Sequence, residues 1–170
     1  MSLSIHDASV ALAIRALRSL SGVIEKGRAH AEAEKWDPTV LLATRLYPDM
    51  FPLSRQIQAV SDQCKGGIAR LAAVEPPKYP DTETTFAELK ARLDKTVAFV
   101  KGIEPQKFEG ADKRAIELKF PNGALNFPNG WDYFLGFVVP NVYFHSSMAY
   151  GILRNCGVKL GKMDFMGGAP

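Results

Sequence analysis

The chain has 170 residues, 46% of them hydrophobic and 23% charged, so it is long enough to bury the core of one domain and ordinary for a globular protein. Its net charge of +3 comes from arginines and lysines spread along the chain, which argues against a nucleic-acid binder, whose basic footprint is concentrated. No stretch of about 18 uncharged apolar residues occurs, so no membrane span is expected, and the N-terminus lacks the basic-then-apolar pattern of a signal peptide.

The first helix is expected to start between Ser4 and Asp7 and to run to about Glu34. Val10, Ala13, Ile14, Leu17, Leu20 and Ile24 recur at helical spacing and form one apolar stripe. Gly22 and Gly27 each weaken helix propensity by about 1 kcal/mol relative to Ala, so its second half is expected to bend or fray. His6 reads as a surface or capping-region residue. His30, among alanines and glutamates, reads as solvated.

Asp37-Pro38 is a helix-start signal, an N-cap Asp followed by Pro at the first helical position. A short helix over 39–45 follows, then RLYPDMFPLSRQ. Pro48 and Pro52 push Tyr47 and Phe51 toward extended backbone, which predicts a stiff, shaped loop. Pro52 opens the second long helix, which runs to about Ala72. Its stripe is Leu53, Ile57, Val60, Cys64, Ile68 and Leu71. Gln56 lies on or beside this buried face, where an unpartnered amide costs roughly 1–3 kcal/mol. Gly66-Gly67 predicts a close helix–helix approach.

VEPPKYPDTE is a proline-rich connector long enough to cross a bundle. Thr85, with Glu88 three residues on, forms a capping box that opens the third helix. Phe86, Leu89, Leu93, Val97 and Val100 carry that helix to Gly102. IELKF and ALNF flank Asn122-Gly123, which predicts a small β-hairpin.

Gly130 to Gly157 is the longest apolar segment bounded by glycines, and it forms the fourth helix. Trp131, Phe134, Leu135, Val138, Val142, His145, Ala149, Ile152 and Leu153 fall at helical spacing. Phe137, Phe144 and Met148 lie on a second flank, so the helix is expected to be covered on several sides. Pro140 is expected to kink it, splitting it into 131–139 and 140–155. The last stretch, GVKLGKMDFMGGAP, reads as a tail, ordered at first and frayed at its end. One domain, with four long helices and a long connector between the second and third, fits an all-α four-helix bundle of the crossed type. Cys64 and Cys156 have no CxxC or zinc-type spacing and read as reduced, packed thiols in a cytoplasmic protein.

RLYPDMFPLSRQ, DTETTFAELKARLDKT and PNVYFHSSMAYGILRNCGVKLGKMDF, in that order, resemble an uncharacterised bacterial family of the DinB/YfiT-like superfamily. The resemblance spans nearly the whole chain. It implies a DinB-like four-helix bundle, often a homodimer. Many members bind a divalent metal through three histidines, one on the second helix and an HxxxH pair on the fourth. Some relatives are thiol-dependent transferases or isomerases, and others are described as DNA-damage inducible. Carried over by position, the last histidine corresponds to His145, twelve residues before Gly157. Its partner position is Asn141. The second-helix position is Gln56, with Gln58 as the alternative.

One imidazole and two amides make a poor set for zinc or nickel, so His145 is at most a weak metal ligand and a degenerate metal site is expected. His145 can also serve as a general acid or base, or be a buried histidine satisfied by Tyr, Asn or Gln neighbours. Arg45, Asp49 and Arg55 join Gln56 at the mouth of the second helix. Asp49 with either arginine could hold a small polar or anionic ligand, or form an ion pair that pins the stiff loop. Tyr143 and Tyr150 are further candidates for the pocket, or core residues with satisfied hydroxyls. Ser146 and Ser147 point away from His145 and cannot be its nucleophile. The expected function is small-molecule binding or an accessory role. The alternative is a metal- or thiol-dependent transferase or hydrolase.

Overall fold

The structure is a computed structural model, and residues 4–168 are described. Helix α1 spans Ile5–Ala33, and the Ser4 hydroxyl caps it by accepting from Asp7 N–H at 3.0 Å. It does not fray after its glycines. Gly27 is buried because Leu153 nests against it: a Cβ there would stand 2.8 Å from Leu153 Cδ2. His30 is half-buried rather than solvated. Its ring stands edge-on to Trp36, and its Nε2 is enclosed without a partner.

After the short helix α2 (Pro38–Ala43), the proline loop leads into α3 (Leu53–Leu71). The expected stripe of α3 is fully buried: Leu53, Ile57, Val60, Cys64, Ile68 and Leu71. The proline-rich connector crosses to α4 (Phe86–Lys101), whose Thr85–Glu88 capping box is formed in both directions. Strands β1 (Ile116–Phe120) and β2 (Gly123–Phe127) pair antiparallel, with Ile116 opposite Phe127 and Phe120 opposite Gly123. The two-residue loop is therefore Pro121–Asn122. Ile116 and Leu118 bury the inner side of the hairpin.

The last long helix is built in three pieces: α5 (Gly130–Tyr133), a π turn (Phe134–Val138) and α6 (Val139–Asn155). Pro140 does not split the helix at its own position. It has no N–H to offer the Gly136 carbonyl, and in a regular α-helix its ring would crowd that carbonyl. The wider π turn falls one turn earlier and absorbs the misfit. Nor is the helix covered all round, because Leu135, Tyr143 and Phe144 stay about half exposed in the single chain.

Four long helices make the bundle. α1 lies along α4, while α3 packs on both α4 and α6. The C-terminal stretch is not only a tail: Lys162–Met166 forms a short helix, α7, docked on α1. Ser19 Oγ donates to the carbonyls of Asp164 and Phe165, Arg15 Nε reaches the Met166 carbonyl at 3.2 Å, and Lys26 pairs with Asp164 at 2.6 Å. The expected fraying at the chain end falls on residues 169–170, outside the described residues. No described helix is long and apolar enough to cross a membrane.

Candidate functional site

The centre of the site is a contact between α3 and α6. Gln56 comes from the first turn of α3 and is 1% exposed. Its Nε2 donates to the Phe51 carbonyl at 3.2 Å, and its Oε1 lies 2.8 Å from His145 Nδ1. A carbonyl can only accept, so the amide nitrogen must face Phe51 and the amide oxygen must face His145. Nδ1 therefore carries the imidazole proton, and Nε2 carries the lone pair. Nε2 has no protein partner among the described residues and is not one of the buried polar atoms lacking one, so it meets solvent.

Aromatic rings frame this imidazole. The Phe51 ring lies nearly parallel to it at 6.3 Å, and Phe144 stands edge-on at 5.2 Å. Burial is the larger cause that lowers the His145 pKa from its ordinary value, and the positive charge of Arg55 adds to it. The group is thus a neutral, oriented base at pH 7.

The loop that carries Phe51 is held by the backbone. Arg45 Nη1 donates to the Met50 carbonyl at 2.6 Å, and Leu53 N–H donates to the Thr44 carbonyl at 2.9 Å. Arg45 therefore shapes the loop. Asp49 sits exposed at its tip and, among the described residues, pairs with neither Arg45 nor Arg55. Arg55 turns the other way. Its Nη1 lies 2.8 Å from Asp81 and 3.5 Å from Asp62, at angles that make ion pairs rather than hydrogen bonds. Its guanidinium stands 5.6 Å from the Phe51 ring centre.

Asn141 shares the inner face of α6 with His145, one turn apart, but its amide donates back to the Phe137 carbonyl at 2.8 Å. Gln58 donates to Glu83 Oε2 at 2.9 Å and takes no part in the His145 contact. Tyr143 and Tyr150 are not brought to this site. Tyr143 lines a small cavity with Ser19, Val23 and Phe165, while Tyr150 packs on Phe165 and reaches the Leu160 carbonyl at 3.4 Å. Cys64 is fully buried, and burial pushes its thiol up to about 12, so it is a packed thiol.

The donor set does not suit zinc or nickel. The one imidazole has its Nδ1 engaged, Asn141 is tied to the helix backbone, and amide oxygens are poor ligands for either ion. No group of three His, Cys, Asp or Glu side chains among the described residues could hold a metal ion.

A polar cluster beside the site escapes sequence reasoning. Arg92 of α4 is buried, and its guanidinium meets Asp62 at 2.8 Å, Asp81 at 3.0 Å and Glu83 at 3.0 Å, with the Pro80 carbonyl at 2.9 Å. The cluster pins the connector to α3 and α4. Through Arg55 it reaches Phe51, and through Phe51 the imidazole. The only sequence signal is an arginine between Leu89 and Leu93 on the inner face of α4, with the acidic residues lying in a stretch that looks like a spacer.

The four-helix frame, the crossing connector, the hairpin and the α3–α6 contact define a DinB-like bundle. The chain belongs to the family described as Domain of unknown function (DUF1993), whose model matches residues 5–166. Among solved structures, a DinB family member protein from Shewanella denitrificans is 36% identical, with a TM-score of 0.88 over 98% of this chain and 93% of that one. No curated protein matches the chain.

Proposed function

We propose that the protein is a small-molecule binding or accessory protein, with a site derived from a DinB-like metal position but holding no tightly bound metal. The ligand would donate a hydrogen bond to His145 Nε2 and lie against Phe51 and Phe144. One observation carries this reading: the Phe51 carbonyl–Gln56–His145 relay, which fixes one tautomer and presents a solvent-facing acceptor. In this reading Gln56 orients the imidazole instead of sharing a metal with it. The two free thiols, Cys64 and Cys156, fit a cytoplasmic setting.

The same relay supports a second reading, a metal-dependent transferase or hydrolase. Metal-bound imidazoles are commonly anchored through the other ring nitrogen in this way. Metal analysis of untagged protein separates the two. The first reading expects no stoichiometric zinc or nickel and no rise in melting temperature on adding either. Near-stoichiometric metal that disappears in His145→Ala would reject it.

A further inference from the structure

The Gly66-Gly67 pair of α3 serves two purposes. A Cβ on Gly67 would come 2.8 Å from Val138 Cγ1, so this glycine lets the π turn close on α3. Gly66 has a different neighbour: a Cβ there would meet the Arg70 guanidinium at 2.7 Å. Gly66 is thus a seat for Arg70. The second support of that guanidinium is the hydroxyl of the fully buried Tyr133, 3.4 Å from Nη1. Burial pushes the Tyr133 phenol up, so this support stays neutral.

Several other arginines of the chain are already neutralised or spent. Arg92 and Arg55 face carboxylates, while Arg114 donates to the carbonyls of Leu71 and Glu109. Arg70 is positioned by neutral groups and, among the described residues, has no carboxylate partner. It opens onto a groove of about 940 Å³ between α3, the connector and β1. Within the groove Lys65 pairs with Asp62, and Lys119 with Glu117. Arg70 and Lys78 are left against Glu75 alone, two positive charges to one negative. The facing wall includes Leu118, Phe120 and Phe137, and Phe120 is half exposed.

We propose that this groove binds a small organic acid, a carboxylate on an aromatic or apolar body. Arg70 holds the carboxylate, and Phe120 and Phe137 receive the body. A guanidinium that keeps most of its donors free is suited to a carboxylate in two-point contact. The site is separate from the His145 cleft and does not depend on what that cleft binds.

Benzoate titrated into the isotope-labelled protein tests the assignment, with backbone amide shifts as the readout. Saturable shifts are expected at Gly66, Arg70 and 118–120, with a dissociation constant on the order of a millimolar for so open a site. Arg70→Gln, at an exposed position, is expected to weaken binding about tenfold, the worth of a charge-assisted contact. Gly66→Ala is expected to weaken it too, because the new methyl displaces the guanidinium, while the melting temperature holds or rises. Benzyl alcohol, with the same ring and no charge, is expected to leave these amides unmoved. The proposal is overturned by any of four results: no saturation by about 50 mM benzoate, equal binding in Arg70→Gln, equal binding of benzyl alcohol, or shifts confined to Phe51, Gln56 and His145. Phenyl phosphate binding where benzoate does not would overturn the carboxylate assignment.

Discussion

Gln56 Oε1 and His145 Nδ1 meet at 2.8 Å across 89 residues of chain, and the Phe51 carbonyl decides which way the amide faces. The imidazole is therefore protonated on Nδ1. Nitrogen shifts from a long-range NMR correlation spectrum should show that single tautomer at neutral pH. Replacing Gln56 with Glu places a carboxylate beside the ring and should raise the His145 pKa by about one to three units. An unchanged titration would mean that the two side chains do not touch in solution.

The lowered His145 pKa has a signed consequence for stability. The folded protein holds a proton on this ring less readily than the unfolded chain, whose histidines titrate near ~6.5. Stability from this group is therefore complete above that value and is lost as pH falls from it toward the depressed pKa. Urea midpoints between pH 7.5 and 5 should decline, and His145→Gln should show a shallower decline. A steeper one would reverse the assigned sign.

Arg92 sits among three carboxylates with almost no solvent. Arg92→Leu removes the guanidinium that three carboxylates share: Arg55 and Lys65 still face Asp81 and Asp62, but Glu83 loses its cation and the network loses its buried centre. The expected cost is about 3–5 kcal/mol. Arg92→Lys keeps the charge but loses the fork, and should fall between that variant and the native protein. Both are read from denaturant midpoints.

Two glycines make a matched pair of opposite sign. Nothing lies within 4 Å of a Cβ placed on Gly22, so Gly22→Ala should stabilise α1 by about 1 kcal/mol. Gly67→Ala drives a methyl into Val138 and should cost about 1–3 kcal/mol. Melting temperatures moving in the same direction would contradict the packing described for α3.

Much of the fold was legible because it rests on local rules. The Thr85–Glu88 box, the Asp37-Pro38 start and the buried stripe of α3 each follow from residues close in sequence. Gln56 and His145 were also legible as a pair, through the resemblance to DinB-like proteins. What escaped depends on distant partners. Arg55 could be placed near Asp49 by sequence proximity, yet its charge is drawn to Asp81 on the connector. Tyr143 lies two residues from His145, which on a helix puts it on nearly the opposite side. Its neighbours are α1 and α7, and α7 was invisible because Gly161 and Asp164 make a weak start signal over only five residues. The π turn is a compromise between Pro140 and the packing of the aromatic run before it, and no local pattern encodes that balance.

The Arg92 cluster also imposes an order on folding. Its carboxylates come from α3 and from the connector, and its guanidinium from α4. Asp62 has a local partner in Lys65 on the same helix, but the guanidinium gathers all three carboxylates only once both helices have docked and the connector has closed over them. The cluster therefore belongs to the last stage of assembly, where stabilising contacts slow unfolding more than they speed folding. Arg92 variants should unfold faster at nearly unchanged refolding rates, which makes the connector the latch that sets how long the native bundle lasts.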